Sequence, residues 1–309
     1  MTLFRVAITI RSFDQTGPVV EKLKKKCSLV YVNTTGRRLS EEELIEALRD
    51  ADAAIAGTEV YSKKVLFSAK NLRAVSRVGV GLDAIDMAAA AERDIRILNT
   101  PEAPAQAVAE HTLALILSCL RHIPNYNEQI RRGTTPVLRG SLLAGKTAGI
   151  IGLGRIGTRV ATILDAIGCT VLYYDPYVTH AVPDSWVRTE ELSTLYSLSD
   201  IITLHMPPKA GNKPVLDRKA FSACKKDVIV INTARGSLID EDELIRSLEE
   251  GVVAGAGLDV VGEPVSGRLL ALPQVILTPH VASDTVESRY RMEMEAVDNI
   301  LRFVEEGIS

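Results

Sequence analysis

An arginine, two carboxylates and a histidine recur in the second half of the chain, each just past an apolar stretch that reads as a strand. They are Arg235, Asp259, Glu263 and His280. In an open parallel sheet the carboxyl ends of the strands line the ligand crevice, so residues in such positions face a bound molecule. Their types suit proton transfer beside a carboxylate. A histidine gives or takes a proton near neutral pH. A neighbouring carboxylate raises its pKa and fixes its tautomer. An arginine grips a carboxylate through two parallel hydrogen bonds and polarises the adjacent carbonyl. Each residue taken singly has a plainer reading: His280 as an ordinary residue before a helix, Arg235 as a surface residue in a turn. Asp259 reads as a hydrogen-bond partner of a ligand or an arginine rather than a proton carrier.

A second pattern shows which chemistry these groups would serve. Lys146 to Ile151 reads as a strand and runs straight into Gly152-Leu-Gly154-Arg-Ile-Gly157. A helix follows from Arg155 to Ile167, then a strand from Thr170 to Tyr174 ending at Asp175. This is the dinucleotide fingerprint in its required setting. Gly152 makes the tight turn, Gly154 admits the pyrophosphate, and Gly157 lets the helix pack on the sheet. The phosphates then meet unpaired N–H groups at the helix N-terminus. Asp175, eighteen residues after Gly157, can accept hydrogen bonds from the adenosine ribose. A 2'-phosphate there would meet like charge, and Pro176 and Tyr177 supply no arginine, so NAD is expected over NADP. His205, before two prolines, is expected on the nicotinamide side. Hydride transfer to such a cofactor leaves a proton to be handled, which is work for His280, Glu263 and Arg235.

These residues need a scaffold that aligns strand ends. Strands and helices alternate from Phe4 onward, which implies parallel sheets covered on both faces. Ser40 and Glu43 form a capping box for a helix from Glu41 to Arg49. Asp83 to Ala91 reads as another helix. Arg77-Val-Gly-Val-Gly81 follows a strand, where Arg77 would meet a carboxylate or simply border a tight turn. Asn99-Thr-Pro101 reads as a hinge before a long helix, Ala105 to His122. His111 in that helix reads as a structural histidine. Arg131 to Ser141 reads as a polar loop.

Composition narrows the class. The chain has 309 residues, enough for two domains, with 36 basic and 39 acidic side chains. That balance argues against a general nucleic-acid binder. The cysteines at 27, 119, 169 and 224 form no zinc set, so no metal site is expected and the thiols read as free in a reducing compartment. The longest apolar run, Thr112 to Leu120, is too short to span a membrane. With no secretory signal evident at the N-terminus, a cytoplasmic protein is expected.

The chain resembles the D-isomer-specific 2-hydroxyacid dehydrogenases, particularly their phosphoglycerate dehydrogenase-like branch. The resemblance rests on RVGVGLDAID (77–86), VAEHTLALIL (108–117), GIIGLGRIG (149–157), NTARGSLIDEDEL (232–244), AGLDVVGEP (256–264) and LTPHVAS (277–283). It implies an α/β protein of two doubly wound parallel-sheet domains with a cleft between them. Residues 1–98, completed by a helix in 284–309, would form a flavodoxin-like substrate domain, and 99–283 a Rossmann-type NAD domain. It implies an NAD-dependent enzyme acting on a small 2-oxo or 2-hydroxy acid, with Arg235 binding substrate, Glu263 supporting the histidine and His280 as acid/base. Gly152, Gly154, Arg155, Ile156, Gly157, Asp175, His205, Pro207, Thr233 and Asp259 would hold the cofactor. Arg77 and the backbone of Val78 and Gly79 would meet the substrate. A homodimer through the nucleotide domain is implied. So is a short form without the C-terminal regulatory domain. 3-Phosphoglycerate is the first substrate expected; hydroxypyruvate or glyoxylate is the alternative. A phosphate would call for a second basic cluster, with Arg77, Arg131 or Arg132. A non-enzymatic NAD-sensing corepressor is the reading from another class. Three segments depart from the family: DVVGEP is one residue short, Glu102-Ala-Pro104 replaces the usual Gly and Asn, and Lys209-Ala-Gly-Asn212 lacks the usual Thr.

Overall fold

The computed structural model describes residues 3–135, 137–208, 213–262 and 264–306. Contacts divide the chain into two units, Met1–Pro104 with Asp284–Ser309, and Ala105–Ser283. The first holds five parallel strands, β1 (Phe4–Ile8), β2 (Cys27–Val32), β3 (Ala53–Ala56), β4 (Ala74–Arg77) and β5 (Arg96–Asn99). Their order is β2-β1-β3-β4-β5, the flavodoxin-like arrangement. The central strands are buried on both faces and read as nearly continuous apolar runs, as AAIA at β3 shows. One face is covered by the C-terminal helix Val286–Glu306, which places Met292, Ala296, Val297, Ile300 and Val304 in the core. That helix therefore completes this unit.

The second unit holds seven parallel strands, β6 (Thr147–Ile151), β7 (Thr170–Tyr174), β8 (Val187–Arg188), β9 (Ile201–Leu204), β10 (Val228–Asn232), β11 (Val253–Leu258) and β12 (Val275–Leu277). Their order is β12-β11-β10-β9-β6-β7-β8. The order reverses between β6 and β9, giving the switch point at which doubly wound sheets bind ligands. Apolar clusters cover both faces, one around Ile150, Leu164 and Ile231, the other around Ile202, Val230 and Leu258.

Local rules account for several boundaries. The Ser40–Glu43 capping box forms in both directions. The helix expected from Asp83 instead begins at Met87, because Asp86 caps it by accepting the Ala89 N–H at 2.9 Å. A helix at Ile123–Arg131 precedes the polar loop, restarted after His122 in the left-handed conformation (φ 52°) with a proline in its first turn. No described helix is long and apolar enough to cross a membrane. The four cysteines are free, and burial pushes the thiols of Cys119 and Cys224 up to about 12.

Candidate active site

The strand order of the second unit sets the site out in a row. The loops after β7, β6, β9, β10, β11 and β12 carry Asp175, Gly152–Gly157, His205, Thr233–Arg235, Asp259 and His280.

The fingerprint turn is tightly determined. Gly152 has φ +94°, and a Cβ there would lie 2.7 Å from the His205 carbonyl oxygen. At Gly157 a Cβ would sit 2.0 Å from the Gly152 carbonyl oxygen, so only glycine lets the helix Arg155–Ile167 start this close. Gly154 differs. It caps that helix at φ −74°, ψ −161°, open to any residue, and a Cβ would meet nothing within 4 Å. Among the other glycines with empty surroundings, Gly36, Gly133, Gly145 and Gly251 have positive φ, and Gly267 does not. Within the fingerprint, neither packing nor backbone explains Gly154, which has no side chain to cap the helix itself. The open space at this helix N-terminus fits a pyrophosphate. Asp175 accepts the Leu153 and Tyr177 N–H groups, one on each carboxylate oxygen, both at 2.7 Å. Each oxygen keeps a lone pair for a ribose hydroxyl.

His205 is fixed by its own N–H to Ile151 O (2.8 Å) and by Nε2 at 2.9 Å from Thr203 Oγ1. The residue keeps some surface, yet its ring is packed deeply enough that desolvation pushes the imidazole down to about 3. It stays neutral at physiological pH, which suits a hydrogen-bonding role beside a ligand rather than proton transfer.

The Arg235 turn is braced by Asn232. Buried at the end of β10, Asn232 donates to Arg235 O (2.8 Å) and accepts from the Ala234 N–H (3.0 Å). Gly236 lies against the Val261 backbone, where a Cβ would come within 3.0 Å. The arginine turn therefore packs on the segment that leads to Glu263. Glu263 itself, like 209–212, lies outside the described residues.

Asp259 is buried and holds the loop after β12. Its carboxylate accepts the Thr278 hydroxyl at 2.5 Å and the N–H groups of Val281 and Ala282, each at 2.9 Å. The His280 N–H donates to Asp259 O at 2.9 Å. His280 sits between these anchors with φ 55°. Thr233 reaches the helix Ala105–Arg121 through Thr112, hydroxyl to hydroxyl at 3.1 Å.

In the first unit Arg77 lies across Gly79, whose Cβ would fall 1.4 Å from Arg77 Nη1. The Val78 N–H donates to Ala56 O (2.8 Å), and the Gly79 N–H to Thr100 Oγ1 (2.7 Å). Both donors are thus engaged within the unit. The next two N–H groups, of Val80 and Gly81, have no partner among the described residues. They escaped the sequence reading because only the position of Thr100 shows which donors are already used.

Residues 113–282 match the family described as D-isomer specific 2-hydroxyacid dehydrogenase, NAD binding domain. A hydroxypyruvate reductase of Thermotoga maritima is 36% identical over 300 residues, covering 92% of this chain and 96% of that protein. A D-3-phosphoglycerate dehydrogenase of Methanocaldococcus jannaschii is 39% identical over 282 residues, and the chain spans only 54% of its length. Among solved structures, an acyclic imino acid reductase in complex with NADPH and D-Arg superposes with a TM-score of 0.90 at 28% identity, covering 98% of both chains.

Proposed function

The chain belongs to the D-isomer-specific 2-hydroxyacid dehydrogenase family, an NAD(P)-dependent oxidoreductase by that membership, and from this premise we propose that it interconverts a small 2-oxo acid and its D-2-hydroxy acid using NAD. The observation that supports it best is the single row of strand ends running from Asp175 through the open Gly154 turn to Asp259 and His280. When bound, NADH supplies the hydride.

The chain's residues then divide the remaining work. Arg155, Ile156 and the fingerprint glycines hold the pyrophosphate, and Asp175 the adenosine ribose. His205, Pro207, Thr233 and Asp259 border the nicotinamide ribose and ring. Arg235 grips the substrate carboxylate and polarises the adjacent carbonyl. His280 delivers the proton to the carbonyl oxygen in reduction and removes it in oxidation. Glu263 stabilises the protonated imidazole. Val80 and Gly81, with Arg77 beside them, replace Val78 and Gly79 as the backbone donors for substrate.

For the substrate, hydroxypyruvate or glyoxylate fits better than a phosphorylated acid. A hydroxypyruvate reductase is matched over 96% of its own length, whereas the chain spans only 54% of a D-3-phosphoglycerate dehydrogenase that it matches. The phosphorylated reading keeps the support of several D-3-phosphoglycerate dehydrogenase relatives, one of them 39% identical. Comparing kcat/KM for phosphohydroxypyruvate, hydroxypyruvate and glyoxylate with NADH separates the two. A preference for phosphohydroxypyruvate of tenfold or more, on the order of 1.4 kcal/mol, would overturn the first choice. Failure of NADH oxidation with every 2-oxo acid would overturn the enzyme reading.

A second copy of the chain is the proposed partner. Val137, Leu142, Ile130 and Ile123, within one stretch of the second unit, are 97%, 76%, 57% and 53% exposed, apolar side chains that a second copy would cover. Light scattering should give twice the chain mass.

A further inference from the structure

The helix Ala105–Arg121 lies on β11 in a fixed register. A Cβ at Gly255 would sit 3.7 Å from Cys119 Cβ, and one at Gly257 2.9 Å from Leu115 Cβ. Four helical residues rise about 6 Å and two strand residues about 6.6 Å, so the match persists for a further step. The next pair along is His111 and Asp259.

There the side chains meet. His111 Nε2 lies 3.1 Å from Thr278 Oγ1 and 3.6 Å from Asp259 Oδ1. Thr278 donates its hydroxyl proton to Asp259, so its oxygen is left to accept, and the arrangement calls for the tautomer with the proton on Nε2. The chain of donors runs His111 to Thr278 to the Asp259 carboxylate. That carboxylate holds the Val281 and Ala282 N–H groups on the far side of His280. A left-handed backbone at a non-glycine residue costs about 1–3 kcal/mol and persists only where surrounding bonds over-determine it. At His280 the bonds that Asp259 makes are among them, beside the His280 N–H to Thr278 O at 3.0 Å.

We propose that His111 is a positioning residue: through Thr278 it orients the Asp259 carboxylate, and so fixes the backbone that aims the His280 imidazole at the reacting oxygen. This rests on the reading of His280 as the acid/base. It gives a role to a histidine that the sequence alone casts as a structural residue of an apolar helix.

The test is steady-state kinetics with NADH and the best 2-oxo acid of the panel, alongside thermal melts and NADH titration. His111→Leu removes the donor; His111→Gln keeps an N–H near the Nε2 position. Thr278→Val and Thr278→Ser make the same comparison at the bridge. We expect His111→Leu and Thr278→Val each to lower kcat by about 10- to 100-fold, the size of a misplacement near 1 Å. NADH affinity should fall by far less than kcat, Gln and Ser should recover most of the rate, and the double variant should be no slower than the slower single one. Should His111→Leu fail to fold, the Thr278 pair decides. Rates within twofold of wild type, equal losses in His111→Gln and His111→Leu, or multiplicative losses in the double variant would overturn the inference alone. Full turnover by His280→Gln would overturn the acid/base reading and the inference with it.

Discussion

Replacing Gly154 by alanine separates a ligand seat from a structural glycine. The fold has room for the methyl group: a Cβ meets no atom within 4 Å, and φ −74° suits any residue. Two small effects on stability nearly cancel. Alanine is a poorer N-cap than glycine by about 0.5–1 kcal/mol. It also removes freedom from the unfolded chain, worth about 0.4–1 kcal/mol in the other direction. The melting temperature should therefore stay within about 2 °C of wild type. Binding is another matter. A methyl group in the pyrophosphate seat acts as overpacking, at about 1–3 kcal/mol, or roughly a 5- to 150-fold rise in Kd. NADH fluorescence titration reads the second number and a thermal melt the first. Gly157→Ala is the contrast, because its Cβ would lie 2.0 Å from the Gly152 carbonyl oxygen; it should lose both stability and affinity. If Gly154→Ala bound NADH within twofold of wild type, the open space at the helix N-terminus would not be the cofactor seat.

Other outcomes follow from the same geometry. His280→Gln should cut kcat by about 10²–10⁴, the usual share of a general acid/base, while NADH titration stays unchanged; near-normal turnover contradicts its role. His205 makes stability acid-sensitive. An imidazole in the unfolded chain titrates near 6.5, whereas the folded ring resists protonation down to about 3. Between those values the unfolded chain binds a proton that the folded chain refuses, so stability is full above about pH 6.5 and declines as pH falls. Denaturant melts at several pH values should show a shallower decline for His205→Gln; parallel curves would exclude His205 as the source. Gly257→Ala would bring a Cβ to 2.9 Å from Leu115 Cβ and 3.0 Å from Ile231 Cδ1, inside the core. The cost should be about 1–3 kcal/mol, read as a melting point lower by several degrees; a neutral result would contradict the register of helix on strand.

Local chemistry was legible in the sequence wherever neighbours along the chain supply the partners. The Ser40–Glu43 box needs only residues 40–43, and the fingerprint helix starts and stops where its glycines place it, at Gly154 and Gly168. Asp86 shifted one helix start because two acids, Asp83 and Asp86, both stand where a cap belongs. The helix Ile123–Arg131 has no buried residue, so no core-facing stripe marks it. The distant partners were not legible. That Gly79 gives its N–H to Thr100, 21 residues away, depends on how β4 and β5 pair. That His111 meets Thr278, 167 residues away, depends on glycines in β11 drawing the helix close. Gly255, Gly257 and Asp259 alternate along that strand opposite Cys119, Leu115 and His111 four apart, a signal present in the sequence but silent until the helix is known to lie on that strand.

The topology explains why the chemical residues need to be spread so widely along the chain. Asp175 follows β7 and His280 follows β12, and the sheet order sets those strands five neighbours apart. At about 4.8 Å per strand that is roughly 24 Å. No small acid reaches from one to the other, so neither residue alone identifies a site. An extended dinucleotide seated at the Gly154 turn, with a small acid beyond it, is the ligand pair that would engage the whole row. Reversal of the strand order between β6 and β9 opens the crevice where such a cofactor crosses the sheet. On the proposed reading the two ends would be tuned separately: the Asp175 end would select the ribose, and the clasp of Asp259, Thr278 and His111 would govern the geometry of His280.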